Sequence, residues 1–330
     1  MKNIAIIGAG MSGLSLAHHL SDQFNVTLFE KSSKPGGRIC SRQTESGNFD
    51  HGAQFFYAKT SAFQQFITPM LTAGVIANWQ ARFVEIDAEN IVASRQWDDS
   101  YPHYVGTPSM AAIGAFVAQS LRVHYSHQIS AIERNDKTGK WHLFNSGKQI
   151  TDSFDWVVLT MPVAQVLNLT PAGTSFIKPI QSVEMLPCYA LMLGLSETPH
   201  INFDAALIRN SNLSWLSFNG TKPQRGKQPT IVTHAANQWA LDHLSTDTDD
   251  VKAMMLETVL KLTHLAPKTI IHSDIKRWVY ANVDKQAISP FYIDSNMQIA
   301  TCGDWCIQGR VESAFSSGVE LAKQLNEFNN

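Results

Sequence analysis

The chain opens on a continuous apolar run, residues 2–7, of the kind expected for a parallel strand buried on both faces. Behind it, the spacing of apolar positions predicts a helix over 12–24 and a second strand over 26–30. Helical spacing returns over 107–121, with Pro108 expected in the first turn, where a missing amide proton costs least. Residues 123–133 and 141–144 alternate like antiparallel strands, and 156–159 reads as another buried strand. From 162 to about 272 the pattern changes to strand-like runs at 189–195, 213–218 and 230–234, followed by a helix near 249–262. The chain then returns to a buried strand at 297–302 and closes on a helix over 313–326. This return predicts two interleaved lobes, one from 1–56, 105–162 and 273–330 and the other from 57–104 and 163–272.

Length agrees, because 330 residues are too many for one small core. Hydrophobic residues at 44% and charged residues at 16% suit a folded chain. Lys and Arg number 26 against 28 Asp and Glu, so no basic excess exists to neutralise a phosphate backbone. The expected partner is therefore a small molecule and not a nucleic acid. Cys40, Cys188, Cys302 and Cys306 make neither a disulfide framework nor a paired zinc motif, so no metal is expected. Cys302 and Cys306 are close enough in sequence for a redox pair, but small buried thiols are commoner and are the reading taken here. Lys2 and the apolar stretch 4–17 imitate a secretory signal, but they contain the loop described next and are read as a core strand and helix. No stretch approaches the roughly 18 apolar residues that span a bilayer, so no membrane partner and a cytoplasmic location are expected.

Gly8, Gly10 and Gly13 form GxGxxG between the first strand and first helix. Gly8 suits the tight turn, Gly10 the close approach of a pyrophosphate, and Gly13 the packing of helix on sheet. Phosphates would then face the amides around Met11 and Ser12 at the positive end of the helix. Glu30 ends the second strand, where a carboxylate holds adenosine ribose hydroxyls. The pattern predicts a dinucleotide.

Three further segments resemble the flavin amine oxidase superfamily: GGR at 36–38, DHGAQ at 50–54, and CGDW at 302–305 followed by GRVESAFSSG at 309–318. The resemblance implies noncovalent FAD, since no SGGC segment for covalent attachment is present. It places Arg38 near the pyrophosphate, Gln54 and Phe55 beside the flavin ring, Asp304 on the ribityl chain, and Val311 and Glu312 at the pyrimidine edge. Lys31 and the backbone of Ile129 join the nucleotide end by the same resemblance. The implied fold class is α/β, a Rossmann-like FAD-binding domain with an interleaved α+β substrate domain. Within the superfamily, DHGAQFF, YVGTPSM, VVLTMPV and KRW resemble the renalase-like oxidases. That branch implies hydride removal from 2- or 6-dihydro isomers of NAD(P)H, with molecular oxygen reduced to hydrogen peroxide. Flavin N5 would carry the chemistry, so no catalytic side chain is named, and Tyr189, His234 and Trp278 are the pocket candidates. Arg209, Asn210, Asn212 and Asn219 are candidate polar anchors or plain surface-loop residues. Two alternatives stand: an oxidase of small amines, and a non-catalytic protein that keeps the fold, which Arg38, Gln54 and the 304–312 segment argue against.

Overall fold

The N-terminal apolar run becomes the strand Asn3–Ile7, with Ile4, Ala5 and Ile6 fully buried, in the computed structural model, which describes residues 1–20, 24–226 and 228–328. Asn25–Phe29 and Trp156–Leu159 flank it, both parallel to it. Ile299–Cys302 and Val123–His124 extend the sheet in parallel on either side, and the edge strand Phe291–Asp294 runs antiparallel. Ala5, Ile7, Val157, Leu159 and Ile299 pack with Trp141, Leu143 and Phe154 of the antiparallel meander Ile129–Arg134, Trp141–Asn145 and Lys148–Phe154. By alternation, Ile4, Ile6, Val158 and Ala300 point to the opposite face. Two helices, Met11–Leu20 and Val311–Glu327, pack against each other. A Cβ on Gly318 would lie 2.5 Å from the Ser12 carbonyl oxygen, so the two backbones touch there.

These elements form one unit, residues 1–39, 114–185 and 283–330. The other, 40–113 and 186–282, is built on a seven-stranded sheet. Its strands lie in the order Ile270–Lys285, Glu184–Leu195, Thr230–Ala235, Leu213–Phe218, Ala205–Arg209, Arg82–Asp87 and Asn90–Gln96. Helices Asn237–Asp242 and Thr248–Thr263 cover one face, setting Ala240, Val251, Met255 and Val259 against Leu191, Leu193, Leu216 and Ile231. The longer helix starts where Asp247 accepts from the Asp249 amide at 2.8 Å, and it ends on left-handed His264.

Several expectations need correction. The helix foreseen at 107–121 spans Ala111–Ala118; ahead of it Tyr104–Gly106 is a strand paired with Ile76–Asn78, and the Thr107 amide continues that contact by donating to the Val75 carbonyl at 2.8 Å. Pro108 accordingly lies ahead of the helix. The strand foreseen at 123–133 is two, Val123–His124 and Ile129–Arg134, separated by Ser126 at φ 57. The first helix is described as far as Leu20, and residues 21–23 of the expected 12–24 lie outside the described residues. Unit breaks fall after 39, 113, 185 and 282, where the sequence pattern placed them after 56, 104, 162 and 272. Segment 40–56 joins the second unit because Phe49 packs on Met192 and Val232.

Candidate active site

The glycines of the first unit divide their work as their surroundings dictate. Gly8 sits at φ +110, a conformation that side chains resist. A Cβ on Gly13 would lie 2.1 Å from the Gly8 carbonyl oxygen, whereas one on Gly10 would meet nothing within 4 Å. The open side of the loop is therefore at Gly10. The helix starting at Met11 leaves its first amides, those of Met11, Ser12 and Gly13, without intrahelical acceptors. Glu30 is buried, and its carboxylate accepts from the Ala9 amide at 2.9 Å and the Ser32 amide at 2.8 Å. Each oxygen keeps a further lone pair for a hydroxyl.

The Gly36 amide donates to the Ala9 carbonyl at 2.8 Å, which sets the GGR turn against the loop. Arg38 from that turn forms an ion pair with Asp304. The Gly309 amide donates to the Asp304 carbonyl at 2.9 Å, leading into the helix that begins at Val311 with Glu312 in its first turn. Ser126 and His127 donate backbone amides to the carbonyls of Ser32 and Glu30 at 3.0 and 2.9 Å, bringing the segment before Ile129 beside Glu30. The Ile129 side chain is core, and Lys31 is exposed. Gly8, Gly10, Met11, Ser12, Gly13, Glu30, Arg38 and Asp304 thus belong to one neighbourhood.

In the second unit, DHGAQ is the centre of a buried polar cluster. Asp50, with no exposed surface, accepts from Lys222 Nζ at 3.1 Å, Arg225 Nη2 at 2.6 Å, Ser41 Oγ at 2.6 Å and the Met110 amide at 3.0 Å. Burial alone would raise its carboxyl; Lys222, Arg225 and Ser41 overcome that and hold it at about 2. Burial also lowers the Lys222 ammonium, to about 8, against the pull of Asp50. Gln54 Oε1 accepts from Lys222 Nζ at 3.1 Å and Ser217 Oγ at 2.9 Å. Its amide nitrogen donates to the Asp50 and Gly52 carbonyls and lies 3.4 Å from His234 Nε2. Both amide protons are thereby committed to protein carbonyls, and Gln54 is part of this buried network.

His51 stacks on Trp278 at 5.4 Å, and Trp278 Nε1 donates to the His51 carbonyl at 2.9 Å. Burial, then Arg42 and Lys276, lower the His51 imidazole to about 4; burial, then Lys222, do the same to His234. Both are neutral near pH 7. Phe55 lies among Tyr57, Trp97, His103 and Trp215, with ring centroids 5.1 to 5.5 Å away.

Sheet parity separates the pocket candidates. Ala190, His234, Trp215 and Leu207 are cross-strand partners in one row and therefore share a face. Tyr189, one residue from Ala190, points the other way into the helix-covered core, with its hydroxyl donating to the His243 carbonyl at 3.1 Å. It is a core residue, unlike His234 and Trp278. The polar anchors also have other partners: Arg209 pairs with Glu85, Asn210 donates to Asp87, Asn212 to the Met254 carbonyl and Asn219 to the Asn48 carbonyl.

The family model of the flavin containing amine oxidoreductases matches residues 99–326, and that of an NAD(P)-binding Rossmann-like domain matches residues 6–68. The chain belongs to the flavin containing amine oxidoreductase family. Renalase of Mus musculus is similar at 22% identity, over 99% of this chain and 100% of its own length. Cyclohexylamine oxidase from Brevibacterium oxydans IH-35A superposes with a TM-score of 0.75 at 13% identity, covering 99% of each chain. Reduced UDP-galactopyranose mutase does so with a TM-score of 0.76 at 12% identity, covering 99% of this chain and 96% of its own. These two share the fold.

Membership of the flavin containing amine oxidoreductase family implies FAD and an oxidoreductase acting on a small molecule. The phosphate loop fits that cofactor: the one glycine with free space beside it is the one a pyrophosphate must approach. Sequence reasoning missed Lys222 and Arg225, which lie in no motif. A buried cation whose acidic partner is far away in the chain has no local signature in the sequence. Among the described residues, no helix is long and apolar enough to cross a membrane.

Proposed function

We propose that the chain is a renalase-like oxidase that converts 2- or 6-dihydro isomers of NAD(P)H to NAD(P)+, with molecular oxygen reduced to hydrogen peroxide. The observation that carries this reading is the match to renalase over 99% of this chain and 100% of the renalase, which includes the substrate-side elements as well as the nucleotide loop. FAD, held noncovalently, would supply the hydride acceptor and the route of the electrons to oxygen. Gly8, Gly10, Met11, Ser12 and Gly13 would hold its pyrophosphate, with Glu30, Lys31 and the Ile129 backbone at the adenosine end. Arg38, Asp304, Val311 and Glu312 would hold the remainder, and segment 50–55 would pass beside the ring.

The chemistry suits the groups on the substrate side. Hydride departure from a dihydronicotinamide is driven by the ring nitrogen lone pair and requires no proton transfer at carbon. Neutral His51 and His234 orient and exclude water without acting as bases. A second reading, oxidation of a small amine, draws support from the aromatic surroundings of Phe55, which could cage an apolar amine.

Anaerobic mixing while the flavin band is followed separates the two. The 2- and 6-dihydro isomers should bleach the flavin within seconds, and ordinary 4-dihydro NADH should be slower by about 100-fold, the effect of a misplacement of about 1 Å. Oxygen should then restore the colour with formation of peroxide. Rapid bleaching by simple monoamines, with none by the isomers, replaces this reading with the second.

A further inference from the structure

Aromatic rings of the second unit form a connected chain that runs from its core to its surface. Trp215 and Trp97 lie 6.5 Å apart, ring centre to ring centre, with Phe55 at 5.5 and 5.1 Å from them. Trp97 has Trp79 at 5.5 Å and stacks flat on His103 at 3.6 Å. Beyond His103, Tyr57 lies 4.8 Å away, and Tyr101 lies 4.7 Å from Tyr57. The three indoles are at least nine-tenths buried, Tyr57 is half-buried, and Tyr101 is 49% exposed. Easily oxidised rings therefore stand in near contact from the interior to solvent.

One link in this chain is more than packing. The Tyr57 hydroxyl stands 3.0 Å from His103 Nε2. Burial lowers the His103 imidazole to about 4, so near pH 7 the ring is neutral and one of its nitrogens is bare. The Tyr101 carbonyl favours the ring proton on the other nitrogen, which leaves Nε2 to accept from Tyr57. A phenol that loses an electron becomes a strong acid, and a base already in hydrogen-bond contact takes its proton in the same step.

We propose that Tyr57 and His103 form a proton-coupled redox site, through which an oxidising equivalent on the buried indoles passes to Tyr101 and out of the protein. The oxidant is an oxygen-derived radical, and the final donor is a small thiol. The radical takes one electron from Trp97. Tyr57 returns an electron to Trp97 and gives its hydroxyl proton to His103 Nε2, leaving a neutral tyrosyl radical beside an imidazolium. Tyr101 then gives an electron to Tyr57, which recovers its proton from His103, while the Tyr101 hydroxyl proton goes to water. The thiol donates a hydrogen atom to the Tyr101 radical and leaves as a thiyl radical, so every residue ends as it began. This relay is independent of which substrate the flavin oxidises.

Pulse radiolysis of the FAD-loaded protein with azide radicals, which take single electrons from indoles, tests this through the indolyl and tyrosyl absorption bands. The indolyl band should decay as the tyrosyl band grows. Tyr57→Phe keeps the ring and removes the proton, so most of that growth should be lost while the indolyl band persists. His103→Gln keeps a hydrogen-bond acceptor that cannot take a proton, and it should slow the growth by about 100-fold. Tyr101→Phe should leave the growth intact and remove the quenching of the tyrosyl band by added glutathione. Decay of the indolyl band with no tyrosyl band in the unaltered protein overturns the proposal even if no variant folds. Unchanged growth in a folded Tyr57→Phe or His103→Gln also overturns it, as does unchanged quenching in Tyr101→Phe.

Discussion

Gly10 and Gly13 are two letters of one motif, yet their surroundings ask for different consequences of the same methyl group. At Gly13 the methyl would strike the Gly8 carbonyl at 2.1 Å, so Gly13→Ala must displace the loop from the helix. The expected loss is about 1 to 3 kcal/mol, read as a lower melting temperature of the flavin-free protein. At Gly10 the methyl meets nothing within 4 Å, and the backbone is not in the left-handed region. Gly10→Ala should therefore leave the melting temperature of the flavin-free protein unchanged while weakening FAD by roughly ten- to a hundredfold. Equal melting losses for the two variants, or full flavin occupancy in Gly10→Ala, would refute this placement of the pyrophosphate. Glu30→Arg should be more severe than the motif alone suggests, because the carboxylate also holds the Ala9 and Ser32 amides.

At the scale of elements, the helix that carries the loop is held by its contact with the closing helix Val311–Glu327. Gly318 allows that contact, and a methyl there would approach the Ser12 carbonyl at 2.5 Å and the Leu16 amide nitrogen at 3.1 Å. Gly318→Ala should therefore cost about 1 to 3 kcal/mol in stability and also weaken FAD, since the displaced Ser12 lies in the phosphate loop. Loss of stability with unaltered flavin affinity would show that the two helices are not mechanically linked to the site. The strands of the first unit were legible because parallel strands buried on both faces read as unbroken apolar runs, as at Trp156–Leu159. The edge strand Asn90–Gln96 is exposed along its whole length and gives no such signal. Ile270–Lys285, mostly half-buried, is equally silent. The nucleotide loop was legible because its glycines are close in sequence. The Asp50, Lys222 and Arg225 cluster was not, since its members meet only through folding across more than 170 residues. Tyr189 was misjudged because the parity of a strand within a sheet depends on register, which a single strand's sequence does not reveal.

For the molecule as a whole, buried groups whose charge states are fixed by folding make stability depend on pH. Burial pushes the thiols of Cys188 and Cys302 up to about 12, so they are protonated and poor nucleophiles near neutrality. Acid precipitation should accordingly leave the yellow colour in the supernatant, and colour retained in a washed pellet would disprove noncovalent attachment. Acid acts on the fold through other groups. His51 and His234 are lowered from 6.5 to about 4, so between those values the unfolded chain binds more protons than the native one. Stability must then fall as pH drops through that window, by up to about 1.4 kcal/mol per pH unit for each full proton of difference. Asp50, lowered from 3.8 to about 2, adds stability that is present above pH 3.8 and is lost as pH falls toward 2. Melting scans of the flavin-free protein should show a steady fall from pH 6.5 to 4, followed by a second fall at lower pH. A His51→Gln, His234→Gln double variant should reduce the slope in the first region, leaving the part that His103 contributes, since burial lowers it to about 4 as well, and should leave the second region unchanged. A flat profile between pH 6.5 and 4.5 in the unaltered protein, or a slope undiminished in the double variant, would mean that the His51 and His234 imidazoles do not stay neutral in the fold.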